Sequence, residues 1–375
     1  MNSRERVLCA LEHQEPDRVP IDLGHVGPNE ETYRRLKGKL GLQWKEEDIA
    51  GLWGMHSMDP ELLKRLHVDL RRVTVDFPSR LLNGVLEDSL GIKWVKTNTG
   101  WWPVEHPLAR IGTNRDLEEY DWPNLSKLDL TREQEKAHDV ATRLQREGWA
   151  VATDFVFSGP WETGIFLRGE VQVVKDMYRN PELARSLFQK ISDVGVQFFD
   201  VLLEAVGDHV DIVSFSDDLG IQAGLRLSPR LYMEFVKPYE KIFLDSIHRM
   251  TDAKILFHSC GAIEPLINDL IEIGVDILNP LQPLAANMGN SRALKSKYGD
   301  RICFHGGVDT QRILPFGSLD DIEKEIQTRI RGFGPEGGYI VAPAQSLMPD
   351  VSPENIIAMA DFALRAGKYP LGSLS

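Results

Sequence analysis

Cysteine is scarce in this 375-residue chain: Cys9, Cys260 and Cys303 make up the whole complement, too few and too scattered for a disulfide framework. Long apolar runs are missing too. Nothing approaches the roughly 18 residues that a membrane span needs. The opening Met1-Asn2-Ser3-Arg4-Glu5-Arg6 leads into an amphipathic segment without the apolar core of a signal peptide. These absences predict a cytoplasmic, globular protein. Basic residues are outnumbered, 43 against 56 acidic ones for a net charge of −13, which argues against nucleic acid as the main ligand. A local basic pocket for an anionic substrate stays compatible with that balance. No Gly-x-Gly-x-x-Gly follows a strand, which weakens a dinucleotide-binding fold.

What is present is a chain 42% hydrophobic and 26% charged, long enough for one large α/β domain or two ordinary ones. Residues 4–12 read as a helix with Val7, Leu8 and Leu11 on one side, and Cys9 as inert packing on it. A short strand follows over Val19–Leu23. From about residue 42 to 125 the pattern is irregular. It holds a helix near 60–66, a strand over 71–77 and a hairpin of 91–96 with 101–104. All eight tryptophans lie between Trp44 and Trp161; they serve either a large aromatic core or a cap with aromatic walls over a cleft. Beyond Trp122-Pro123 the texture becomes regular. Strands are expected at 149–155, 210–215, 253–257, 275–278, 301–304 and 338–342. The helices between and after them are expected at 132–147, 171–177, 181–206, 229–250, 265–273, 292–297, 319–331 and 353–366. Such alternation implies parallel pairing with right-handed crossovers. A (β/α)8 TIM barrel fits best, as one domain over 1–375, with the hairpin region inserted and the regular repeats at 149–366.

Barrel enzymes place their chemistry at the C-terminal ends of strands. Those ends carry Asp22 and His25, Asp154, Asp217 and Asp218, His258 and Cys260, Asn279 and Gln282, His305 and Asp309, and Gln345. The stretch Lys254-Ile255-Leu256-Phe257-His258-Ser259-Cys260-Gly261 stands out. Residues two apart on an extended chain point to the same side, so His258 and Cys260 can converge, and imidazole with thiolate suits zinc. A packed histidine beside a buried free cysteine is the competing reading. Asp217 and Asp218 are candidate acid/base or ligand-orienting groups, with a helix cap as the alternative. His305 precedes Gly306-Gly307, a turn where backbone can approach a ligand closely. Cys303 shares the face of His305 but lies a layer deeper, as a core thiol. Asp22, His25, Asp154, Asn279, Gln282 and Gln345 are the candidate substrate-binding groups.

The blocks Arg18-Val19-Pro20-Ile21, Asp217-Asp218-Leu219-Gly220, Phe257-His258-Ser259-Cys260-Gly261, Phe304-His305-Gly306-Gly307-Val308-Asp309 and Pro353-Glu354-Asn355-Ile356 resemble, in order and spacing, the uroporphyrinogen decarboxylase superfamily. The resemblance runs over nearly the whole chain and implies a (β/α)8 barrel. True decarboxylases of that superfamily carry an early Met-Arg-Gln-Ala-Gly-Arg block that binds substrate carboxylates. Here the region reads Arg18-Val19-Pro20-Ile21-Asp22-Leu23-Gly24-His25, which would leave such charges unpaired. The chain is more similar to the cobalamin-dependent methyltransferase branch, whose first two zinc ligands match His258 and Cys260. The third ligand of thiol-using members, a cysteine after the last strand, is replaced here by Gln345, so either His305, Asp218 or Cys303 completes the site or the metal is weak or absent. The resemblance implies zinc, a corrinoid carried by a separate partner protein, and a small methylated substrate, with a homodimer as one open state. A metal-free decarboxylase using His258, His305 and the aspartates as acids and bases, and a non-catalytic binding homologue, are the rival expectations.

Overall fold

The computed structural model describes residues 1–24, 27–45, 58–97 and 100–371. Strand β1 (Leu70–Val73) is followed by an antiparallel insertion, β2 (Arg80–Leu82), β3 (Val85–Glu87), β4 (Lys93–Thr97) and β5 (Gly100–Glu105). Regular strands resume with β6 (Ala150–Thr153) and β7 (Ile212–Ser216), then a two-residue hairpin, β8 (Gly220–Ile221) with β9 (Gly224–Leu225). The series ends with β10 (Lys254–His258), β11 (Ile277–Asn279), β12 (Cys303–Val308) and β13 (Tyr339–Pro343). Seven of these form one parallel sheet in the order β1-β6-β7-β10-β11-β12-β13, with helices crossing between them as short parallel connections require.

Residues 20–22 join its two edges. On one side Val341 N–H donates to Pro20 O and Asp22 N–H to Val341 O, both at 2.9 Å; on the other, Asp69 N–H donates to Ile21 O at 2.8 Å. This short first strand completes the ring of the expected barrel and removes its open edges. One buried carboxylate holds the seam. Asp69 accepts Ile21 N–H at 2.9 Å, Arg18 Nη1 at 2.7 Å and Arg6 Nη1 at 2.8 Å.

Inside the ring, side-chain alternation of period two stacks two unlike layers. The lower layer is apolar: Leu70, Ala150, Ile212, Leu256, Ile277, Cys303 and Ile340 pack together, with Val7 and Leu11 of the helix Ser3–Leu11 plugging the floor. Cys303 belongs there, its Sγ 3.5 Å from Leu11 O. Two residues further along, four of the same strands present Arg72, His258, Asn279 and His305, and Asp154 follows directly after β6. The outward residues, among them Val213, Phe215, Ile255, Phe257, Leu278 and Phe304, form the larger core beneath the helices.

Three differences from expectation have a readable cause. The helix Pro160–Arg168 was not anticipated, because its cap comes from Asp217, 56 residues away in sequence. The single helix expected over 229–250 is two, Pro229–Phe235 and Lys237–Met250, broken at Val236; Pro238 lacks the N–H that would continue it. The insertion has four strands instead of one hairpin. Its extra turn is Asn83-Gly84, both at positive φ (52° and 80°), and Asn-Gly between short strands is a strong hairpin signal that the irregular texture concealed.

Replacing Asp69 by Ala takes the carboxylate from Arg18, leaves Arg6 with Asp17 alone, and leaves Ile21 N–H without its side-chain acceptor. The expected cost is about 3–5 kcal/mol, the range for breaking a buried pair, read as a lowered urea midpoint.

Candidate functional site

A hydrogen-bonded chain crosses the upper layer of the barrel. Arg72 Nη2 donates to Asp22 Oδ2 at 2.6 Å and Nη1 to Oδ1 at 3.3 Å. Burial alone would raise the Asp22 carboxyl, but Arg72 and His305 hold it far below the usual carboxylate range. An ionised Asp22 only accepts, so His305 donates Nε2–H to it, at 2.9 Å. His305 Nδ1 is then the acceptor for Asn279 Nδ2–H at 2.7 Å. That orients the amide with Oδ1 toward His258, whose Nδ1–H donates to it at 2.5 Å. His258 Nε2 is left with its lone pair directed to the other side. The tautomer of His258 thus follows from the order of donors and acceptors, starting at a carboxylate on the first strand.

On that other side lie a thiol and a carboxylate. Cys260 Sγ is 3.5 Å from His258 Nε2. Asp218 Oδ1 is 3.9 Å from the same nitrogen and accepts Cys260 N–H at 2.8 Å. The ligand atoms of Asp218, His258 and Cys260 all lie within 4.8 Å of one another, a group that can hold a metal ion. Gln345 reaches in from the loop after β13, its Nε2 donating to Cys260 Sγ at 2.8 Å. Burial, with the charge of Asp218, pushes the Cys260 thiol well above its ordinary range. Burial also lowers His258, keeping the imidazole neutral.

The turn that brings Cys260 here is sterically demanding. Gly261 sits at φ +85°, and a Cβ on it would meet Gly220 C and Ile221 N at 2.5 Å. Glycine alone fits that left-handed, crowded position. Ser259 Oγ accepts Leu219 N–H at 2.9 Å and Gln282 Oε1 accepts Gly261 N–H at 2.7 Å, so Gln282 builds the loop.

The remaining candidates divide. Both oxygens of Asp217 are taken up by Trp161 N–H (3.0 Å) and Glu162 N–H (2.7 Å), so the cap alternative describes it. Asp309 likewise caps a turn through Gln311 N–H and Arg312 N–H. Asp154 is buried 3.9 Å from Arg72 Nε. His25 lies outside the described residues. His305 and Cys303 are excluded as direct neighbours of Cys260, the first by its pairing with Asp22 and Asn279 and the second by its depth. Two groups were missed: Arg72, which anchors the chain at Asp22, and Glu162, half-buried near Asp218 and Asp217 and accepting Ser216 Oγ–H at 3.1 Å. Glu162 is the one that titrates abnormally. Burial and the two aspartates push its carboxyl up to about 8. It lies on the unanticipated helix, and no local motif marks it.

The sequence pattern of the uroporphyrinogen decarboxylase (URO-D) family matches residues 107–365. The chain belongs to that family. Curated family members include the uroporphyrinogen decarboxylases of Chlorobium phaeobacteroides, 28% identical over 194 residues and 50% of each chain, and of Chloroherpeton thalassium, 27% identical over 198 residues and 52% of each. The chain spans about half the length of these relatives. Among solved structures, a methyltransferase from Methanosarcina mazei superposes with a TM-score of 0.73 at 18% identity, covering 97% of this chain and 99% of that one. At that identity the likeness establishes the shared family fold.

Replacing Asn279 by Leu strands a buried donor on His258 and a buried acceptor on His305, each worth about 1–3 kcal/mol. Asn279→Leu should lower the denaturant midpoint accordingly. Asn279→Asp, which retains the acceptor for His258 but has no N–H for His305, should fall between it and wild type.

Proposed function

We propose that this protein is a methyltransferase that moves a methyl group between a small methylated substrate and a corrinoid carried by a separate protein, with zinc assistance. The observation that carries the reading is the convergence of Asp218, His258 and Cys260 at the C-terminal end of the barrel. Imidazole nitrogen, thiol sulfur and carboxylate oxygen are a donor set that zinc accepts, and His258 already turns a lone pair toward the other two. When bound, zinc supplies Lewis acidity that polarises the donor's heteroatom or deprotonates a thiol. The fold shared with a methyltransferase from Methanosarcina mazei supports the same reading.

In this reading His258 and Cys260 are ligands and Asp218 takes the third place. Asp22, His305 and Asn279 orient His258, as partners beyond the ligands commonly do. Gln345 lies against the ligand thiol, and Asp154 and Gln282 border the substrate space. Asp217 holds the helix that delivers Glu162, a half-buried carboxyl able to exchange a proton near the thiol. The methyl carbon loses its bond to the donor heteroatom, which retains the electron pair, and is taken up by the reduced corrinoid of the partner protein.

The decarboxylase reading has one observation in its favour, the curated relatives. Against it, buried Arg72 already gives both terminal nitrogens to Asp22, which leaves only its Nε without a hydrogen-bond partner.

Elemental analysis should find about one zinc per chain, lost in Cys260→Ser, and the wild type should methylate cob(I)alamin from a methoxylated or methylated-amine donor. Absence of zinc together with absence of transfer would sink the proposal, whereas decarboxylation untouched by Cys260→Ser would establish the rival. Converting Gln345 to Cys puts a second thiol within reach of Cys260. Gln345→Cys should tighten zinc at least tenfold in competition with a chromophoric chelator.

A further inference from the structure

Two carboxyls that never meet solvent stand against each other beside β7. Asp217, directly after that strand, and Glu240, on the helix Lys237–Met250, are both 0% exposed, and their carboxyls hydrogen-bond each other. The groups around them are accounted for. Asp217 Oδ2 and Oδ1 accept the N–H groups of Trp161 and Glu162 at 3.0 and 2.7 Å. Glu240 Oε2 accepts Tyr232 O–H at 2.7 Å, while Oε1 meets no N–H or O–H among the described residues. Asp218 adds negative charge near Asp217, and Asp269 near Glu240. Lys237 acts on Glu240 from a distance, being itself 2.8 Å from both Asp269 and Glu272.

A carboxylate has no hydrogen to give, so a bond between two carboxyls requires one proton held between them. That proton also removes one of two charges buried side by side, the arrangement that low-dielectric surroundings penalise most.

What the pair holds in place is the start of the helix Pro160–Arg168. Its N-cap residue is Gly159, which has no side chain to offer the first turn. A Cβ at Gly159 would meet Asp217 Cβ and Cγ at 2.6 Å, so the usual capping serine or aspartate has no room there. The distant carboxylate stands in for it, where the helix N-terminus favours negative charge. Asp217 in turn leans on Glu240, and Glu240 on Tyr232 of the helix Pro229–Phe235. The third residue of the capped turn is Glu162, whose carboxyl returns to Ser216 Oγ at the end of β7.

We propose that Glu240 is a positioning residue for Glu162: it shares one proton with Asp217, and that bond fixes the carboxylate capping the helix that carries Glu162. The placement of Glu162 stands independently of any reaction; its consequence for methyl transfer rests on the methyltransferase reading.

Glu240→Gln replaces the shared proton by a permanent amide N–H for Asp217 and keeps an oxygen for Tyr232 O–H. Glu240→Leu offers neither. Hydrogen exchange with mass spectrometry on the full chain reads the two N–H groups that Asp217 holds. In Glu240→Leu a peptide over 158–168 should exchange at least tenfold faster than in wild type, with peptides from β12 unchanged; in Glu240→Gln it should stay within threefold. Infrared difference spectra should lose one protonated-carboxyl band in Glu240→Gln that Glu162→Gln leaves in place, a signature that packing alone does not give. Should Glu240→Leu fail to fold, Tyr232→Phe, which removes the hydroxyl from Glu240, takes its place with at least threefold faster exchange. Unchanged exchange in the folded variant, a Gln variant as fast as the Leu variant, or no band lost in Glu240→Gln overturns the proposal. Methyl transfer should fall at least tenfold in Glu240→Leu at unchanged zinc content and recover in Glu240→Gln; transfer untouched by a loosened helix overturns the role in the reaction. If neither zinc nor transfer is found while the exchange pattern holds, the methyltransferase reading fails and the positioning of Glu162 stands.

Discussion

A buried imidazole needs a partner for each nitrogen, and the upper barrel meets that need twice over with a single run of hydrogen bonds. Asp22, His305, Asn279 and His258 come from the first strand, β12, β11 and β10, and each spans one gap between inward-facing positions. The run tolerates no slippage, because a one-residue shift in any strand turns that side chain to the helix layer. Arg72 anchors the far end by keeping Asp22 ionised. What emerges at the near end is an imidazole with a defined tautomer, its lone pair facing a thiol. Barrel closure, strand register and site chemistry are therefore one constraint.

Carboxylates gather on the other side of that imidazole, and burial gives them different fates. Asp217 is spent on two backbone N–H groups and, like Glu162 and Glu240, has its carboxyl pushed up, chiefly by burial. Glu240 is pushed up to about 8 and takes a hydrogen bond from Tyr232 at 2.7 Å. Raised carboxyls are the expected response of acids crowded together away from water. Asp218, partly exposed at the mouth, remains next to His258 and Cys260. The three converging side chains Asp218, His258 and Cys260, and not the fold, carry the functional proposal.

The insertion packs over the loops at the C-terminal end of the first two regular strands. The four antiparallel strands between β1 and β6 bring Trp94 and Leu86 over the loops bearing Phe155 and Phe157. The aromatic wealth of the N-terminal part is thereby partly core and partly wall. Of the tryptophans, Trp161 is fully buried packing, while Trp94, also buried, lines a cavity of about 230 Å³ under the insertion.

Much of this was legible without coordinates. Apolar runs of strand length alternating with helical periodicity determine a parallel α/β barrel, since every element must bury one face against the next. Polar residues at the ends of those runs mark the rim where the candidate site lies, and the two-residue spacing of His258 and Cys260 brings them to one side. Where the sequence left Asp218, His305 and Cys303 as equal candidates to stand beside that pair, only the assembled barrel chose. Cys303 and His305 are two residues apart on one strand and point the same way, yet one lies in the apolar floor and the other in the polar layer. Asp217 and Asp218 are adjacent, yet opposite directions along the chain send one to a helix and the other to the thiol. Glu162 and its helix were invisible because the cap comes from a residue 56 positions away. Periodicity is a local property and survives in the sequence, whereas depth in a barrel and partners across it exist only once distant strands have met.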